Sequence, residues 1–115
     1  MVTLGDIIRA GRRLAPHLPP TPLEAAPELG DKIWLKLENA NKTHSFKIRG
    51  ALNAMLSLSP EERSRGIIAA SSGNHAGAVA YAAQLTSAAA QILMPKTTPK
   101  KKVDNVRRYG AEAVL

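Results

Sequence analysis

Lys47 stands between Phe46 and Ile48 in the run Ser45-Phe46-Lys47-Ile48-Arg49-Gly50-Ala51. Lysines on solvated helix faces usually keep polar neighbours. Apolar flanks disfavour the ammonium and favour the free amine, a nucleophile able to form a Schiff base with a carbonyl. A lysine that snorkels at a helix start is the plainer alternative. A second stretch, Ser71-Ser72-Gly73-Asn74-His75, follows the apolar run Gly66 to Ala70 and precedes the small-residue segment Ala76 to Ala83. Strand, polar glycine-containing turn and helix, in that order, form an anion site, because free backbone N–H groups and the helix dipole converge there.

Those residues need elements to position them. Thr3, with Asp6 three residues on, is fit to cap a helix whose apolar stripe is Ile7, Ile8 and Leu14. Pro16, Pro19, Pro20 and Pro22 then impose a stiff, extended connection. Residues 33–38 alternate, with Ile33, Leu35 and Leu37 on one face, and read as a strand. A polar loop from Asn39 to His44 delivers Lys47 to the start of a helix carrying Leu52, Met55 and Leu56. Ser59-Pro60-Glu61-Glu62 is a capping box with proline at the first helical position. Beyond it, strand 66–70, helix 75–85, strand 90–94, a helix capped by Thr98-Pro99 with Val103 and Val106 inward, and a strand from Ala111 to Leu115 alternate. Gly110 ends the last helix. The rhythm predicts parallel strands joined by right-handed crossovers, with helices on the faces. A chain that stops as a strand begins reads as a fragment.

Composition removes several function classes. The 115 residues suffice for one small domain with a modest core. They are 44% apolar but only 3% aromatic, so the core must be aliphatic and alanine-rich. The lack of cysteine excludes disulfides and thiolate metal sites and fits a reducing compartment. His17, His44 and His75 have no metal-ligand spacing, so no metal is expected. No apolar run approaches a membrane span, and the first residues do not form a signal peptide. Sixteen Lys and Arg against nine Asp and Glu give +7, yet the basic residues are dispersed and lack aromatic stacking partners, which argues against nucleic acid.

Together, S-F-K-I-R-G-A and S-S-G-N-H resemble the fold-type II pyridoxal-phosphate enzymes, and the chain looks most like their threonine/serine dehydratase and serine racemase branch. Thr21-Pro22-Leu23, Lys36-Leu37-Glu38-Asn39, Met94-Pro95 and Tyr109-Gly110-Ala111-Glu112 fall in that family's order as well. The resemblance implies an α/β fold of the tryptophan synthase β type: three layers, a mostly parallel sheet and helices on both faces, here incomplete. Residues 1–50 then form the N-terminal segment of the large domain, ending at the cofactor lysine, and residues 51–115 begin the smaller α/β domain. The implied cofactor is pyridoxal 5'-phosphate, with Lys47 as Schiff-base lysine and base, Phe46 near the ring and Asn74 on the phenolic oxygen. A core phenylalanine and a left-handed turn asparagine are the plain alternatives for the last two. Ser71, Ser72, Gly73 and His75 are implied to hold the substrate carboxylate, with Ser72 as a second acid/base in racemases.

The implied activity is deamination of a 2-amino-3-hydroxy acid, L-threonine or L-serine, to a 2-oxo acid and ammonia. Serine racemisation, another hydroxy amino acid, or a catalytically incomplete module are the alternatives. The expected setting is a cytoplasmic homo-oligomer acting on a small amino acid, with no nucleic-acid or membrane partner. Arg49 is expected to pair with an acid such as Glu38, and the basic 96–108 segment to be a solvated helix face. Two departures from the family matter. His44 stands where glycine is common before S-F-K, and Thr86-Ser87-Ala88-Ala89 replaces a glycine-containing turn, which should leave that helix end less well fixed. The family's glycine-rich phosphate loop and its residue facing the pyridine nitrogen lie downstream and are not found within 1–115. These residues alone are therefore expected to bind the cofactor weakly.

Overall fold

A computed structural model describes residues 1–115. Helix α1 (Leu4–Leu14) starts on the expected capping box: Thr3 N–H donates to Asp6 Oδ2 at 2.8 Å, and Asp6 N–H to Thr3 Oγ1 at 3.2 Å. Its apolar stripe does not become a core face. Leu14 is buried while Ile7 and Ile8 stay exposed, because α1 meets helix α2 (Lys47–Ser57) near its own C-terminal end, where Arg13 Nη1 donates to Asn53 Oδ1 at 2.5 Å. The proline-rich connection ends in a strand that the sequence did not announce. Strand β1 (Leu23–Ala25) pairs antiparallel with β2 (Trp34–Lys36), Leu23 opposite Lys36 and Ala25 opposite Trp34. Both strands are exposed, so the alternation of Ile33 and Leu35 marks a strand without a buried face.

The second half follows the predicted alternation. Helix α3 (Pro60–Ser64) starts on the Ser59–Glu62 capping box. Strands β3 (Ile67–Ala70), β4 (Ala90–Leu93) and β5 (Glu112–Val114) form a parallel sheet in that order, with Ala70 opposite Leu93 and Gln91 opposite Glu112. Helices α4 (Asn74–Leu85) and α5 (Lys100–Arg108) pack on the face that carries Ile67, Ala69, Ala90, Ile92 and Ala113. On the other face, Ile68, Leu93 and Val114 are exposed.

Helix α4 lies between the sheet and α2, and Ala76, Gly77, Ala78, Val79, Ala80, Ala82 and Ala83 are all buried. Small residues let both neighbours come close, which explains a helix that is apolar nearly all round. The core is aliphatic as composition demands: Ile48, Leu52, Ile92 and Val106 are its largest fully buried side chains, and Tyr109 is its only buried aromatic. Helix α2 runs through position 50, where the resemblance suggests a domain boundary. No helix is long and apolar enough to cross a membrane.

Two helix ends differ from expectation. Thr98 does not cap α5: Pro99 takes the N-cap place, and Thr98 Oγ1 is buried without a partner. The end of α4 is well formed without glycine. Ala88 N–H donates to Ala83 O at 2.9 Å and Ser87 N–H to Gln84 O at 3.3 Å, the double bond pattern that usually has glycine between helix and loop. Ser87 takes the left-handed conformation instead, φ 54°, and Thr86 Oγ1 adds a bond to Ala82 O at 2.9 Å.

Candidate active site

Lys47 is the first residue of α2 and is exposed. The apolar enclosure suggested by its two flanks is one-sided. Successive helical residues point about 100° apart, so Ile48 turns fully into the core while Phe46 remains outside, 59% exposed. Lys47 Nζ lies over the Phe46 ring, 4.8 Å from its centroid. Phe46 is thus no part of the core that these residues form.

The S-S-G-N-H segment joins β3 to α4. Ser71 N–H donates to Leu93 O at 3.0 Å, tying the loop to the neighbouring strand, and Gly73 N–H turns back to Ser71 Oγ at 3.2 Å. Asn74 opens α4, so a left-handed turn asparagine is excluded. The N–H groups of Ser72, Asn74 and His75 have no partner, and the side chains of Ser72, Asn74 and His75 are exposed. Free donors and the positive end of a helix dipole therefore meet at this turn.

Helices α2 and α4 run in the same direction. Their C-terminal ends touch where Thr86 Oγ1 lies 3.8 Å from Met55 Sδ, and the two helices are 11 and 12 residues long. At the other end His44, just before α2, and Asn74 border one cleft. Lys47 and the S-S-G-N-H turn thus share one end of the molecule. The cleft itself, about 820 Å³, runs from Thr43 and His44 past Gly73, Asn74 and Gly77 to α5, whose Lys100, Lys101, Lys102, Asp104, Asn105 and Arg108 form the far wall, with Lys100 paired to Asp104. Lys47, Phe46, Ser71, Ser72 and His75 do not line it. Nothing in the spacing of the α5 basic residues, read as a solvated face, revealed what stands opposite them.

Arg49 pairs with Glu38 as expected, and the pair belongs to a larger network. Arg49 Nε donates to Glu38 Oε2 at 2.7 Å and Nη2 to Oε1 at 2.9 Å. Thr21 Oγ1 donates to Oε1 at 2.6 Å and Asn41 Nδ2 to Oε2 at 2.9 Å. Lys36 Nζ donates to Thr21 O at 2.6 Å. The Arg49 fork, helped by Thr21 and Asn41 and opposed by partial burial, holds Glu38 well below the usual carboxylate range, at about 2. Thr21 and Asn41 were missed as partners of this pair; the motif order Thr21-Pro22 and Lys36 to Asn39 was their only trace in the sequence.

Residues 14–115 match a family model described as pyridoxal-phosphate dependent enzyme. The chain is 47% identical over 119 residues to an L-threonine ammonia-lyase of Thermotoga maritima, an alignment that covers 100% of this chain and 30% of that relative. Its fold matches a maize serine racemase with a TM-score of 0.93 at 38% identity, covering 98% of this chain and 36% of that one. The processed form of threonine deaminase isoform 2 from Solanum lycopersicum matches with a TM-score of 0.82 at 37% identity, over 99% of this chain and 34% of that one. The chain therefore spans about a third of the length of the proteins it resembles.

Proposed function

The chain belongs to the pyridoxal-phosphate dependent enzyme family, and from that premise we propose that it carries the lysine and the carboxylate-binding turn of a site that deaminates L-threonine or L-serine to a 2-oxo acid and ammonia. The observation that carries this reading is the common end of α2 and α4, with the Lys47 amine on one helix start and three unpartnered N–H groups at the other.

The donors fit the cofactor. An exposed amine matches an aldehyde, the free Asn74 amide matches a phenolic oxygen, and Phe46 offers a ring face beside the amine. Ser45 Oγ, buried without a partner two residues before Lys47, is a further polar group awaiting one. When bound, pyridoxal phosphate supplies the electron sink that makes an amino acid's α-proton removable. The chain's own residues do the rest. Lys47 Nζ takes the α-proton. The N–H groups of Ser72, Asn74 and His75, with the Ser71 and Ser72 hydroxyls, hold the substrate carboxylate at the positive end of α4. That grip fixes the amino acid's orientation about its α-carbon and presents the α C–H bond to Lys47; the proton that Lys47 takes is passed to the departing β-hydroxyl, which leaves as water.

A second reading has its own support. Ser72 is exposed and its hydroxyl makes no hydrogen bond, which leaves it available as a second acid/base for racemisation. The test is product analysis on the full-length protein given cofactor and L-threonine or L-serine. Ammonia and a 2-oxo acid are expected, with turnover reduced about a thousandfold or more in Lys47→Ala. D-Serine as the main product, suppressed by Ser72→Ala more than elimination is, assigns the site to racemisation instead. Undiminished turnover in Lys47→Ala overturns both.

A further inference from the structure

Helix α2 carries Lys47 yet lacks the device that starts α1 and α3. Those two begin on capping boxes, whereas Phe46, at the N-cap of α2, makes no side-chain hydrogen bond and already has helical backbone angles, φ −67° and ψ −15°. The N–H groups of Lys47 and Ile48 have no partner, and only Arg49 N–H closes back on Phe46 O, at 3.0 Å, so the turn frays unless side chains hold it. Two contacts do. Ile48 is fully buried, and Arg49 lays its fork on both oxygens of Glu38. Glu38 is itself fixed from the other side by Thr21 and Asn41, and Asn41 Nδ2 also closes on Glu38 O at 2.9 Å. The ion pair thereby clamps both ends of the loop that runs from the 3₁₀ turn Glu38–Ala40 to the first turn of α2.

We infer that Glu38 is a positioning residue for Lys47: through Arg49 it fixes the first turn of α2 and with it the point from which the Lys47 amine reaches a carbonyl. This rests on the reading of Lys47 as the cofactor lysine. A lysine side chain is flexible, so only a fixed Cα gives it an advantage over neighbours such as the exposed Lys42, or Lys36, whose amine is held by Thr21 O. The contact needs a carboxylate and a guanidinium. A glutamine offers one oxygen and an N–H to a fork that wants two acceptors, and a lysine cannot bridge both oxygens.

The experiment compares full-length wild type, Glu38→Gln, Arg49→Lys and the double variant in the presence of pyridoxal phosphate. Borohydride reduction followed by peptide mapping reads which lysine bears the cofactor, and circular dichroism reads the fold. The expected result is folded variants whose Lys47 adduct falls about tenfold, with Lys36 or Lys42 gaining label and kcat falling more than KM. The double variant should be no worse than the worse single one, because both changes act on one contact. Variants that merely melt earlier, while labelling Lys47 in wild-type yield, overturn the inference. If Glu38→Gln does not fold, Arg49→Lys carries the same comparison. A wild type that places no adduct on Lys47 brings down the functional reading as well, so the two failures are distinguishable.

Discussion

His44 holds a left-handed backbone, φ 55°, three residues before Lys47, with its Nδ1 3.2 Å from Asn39 O. Left-handed geometry strains any residue with a Cβ, by about 1–2 kcal/mol. This explains why a glycine suits the position and what its replacement costs. His44→Gly should raise stability by roughly 0.5 kcal/mol, part of the relief being offset by a freer unfolded chain and the lost imidazole contact. A urea titration should show the midpoint rise with unchanged slope; a lower midpoint means that the imidazole contact outweighs the strain. Glu38 predicts a pH dependence. Its folded value is lowered from 4.5 to about 2, so its stabilisation is fully present above about pH 5 and is lost as pH falls from 4.5 toward 2. The side chain is 20% exposed, so solvent screens the pair. Glu38→Gln should lower stability by about 1–2 kcal/mol near neutrality and by little near pH 2. Denaturant titrations at both pH values check this, and an equal loss at both would assign the effect to shape rather than charge.

Among the elements, α4 binds the site to the core, and two of its positions are informative. A Cβ on Gly77 would come within 2.8 Å of Asn105 Nδ2, and Asn105 Oδ1 accepts from Arg108 Nη2 at 2.8 Å, so the amide cannot swing away freely. Gly77→Ala should therefore fail to deliver the roughly 1 kcal/mol that helix propensity promises, and should deliver it once Asn105 is also alanine. A double-mutant cycle by thermal unfolding measures that coupling, and additivity would contradict the close approach. At the other end, Ser87→Gly should stabilise by about 0.5–1 kcal/mol, because glycine takes the left-handed conformation without strain; an unchanged melting temperature would show that the strain is negligible. The elements were legible where a local device marks them: the capping boxes at Thr3 and Ser59, the glycine at Gly110, the β-α-β rhythm after residue 66. They were not legible where a distant partner decides. β1 is three residues long and exists only by pairing with β2; Ile7 and Ile8 form a stripe that stays largely exposed; and Thr98 loses its capping role because Pro99 moves the cap by one residue.

For the whole molecule, the parallel packing of α2 and α4 converts two stretches separated in the chain into one end. Lys47 and the S-S-G-N-H turn could be read from residue types and order, because their chemistry is local. The Thr21–Glu38–Asn41–Arg49 network and the basic wall of α5 could be read only in part, because each depends on residues brought together by the fold. The exposed sheet face of Ile68, Leu93 and Val114 has no counterpart in a local pattern either. Everything proposed for this molecule turns on which amine meets the cofactor. The decisive measurement is borohydride reduction of the wild-type full-length protein with pyridoxal phosphate, followed by peptide mapping of the trapped lysine. One adduct, on Lys47, with loss of the visible imine absorbance in Lys47→Ala, is the predicted result; an adduct on Lys36, Lys42 or the α5 lysines, with Lys47 unmodified, contradicts it.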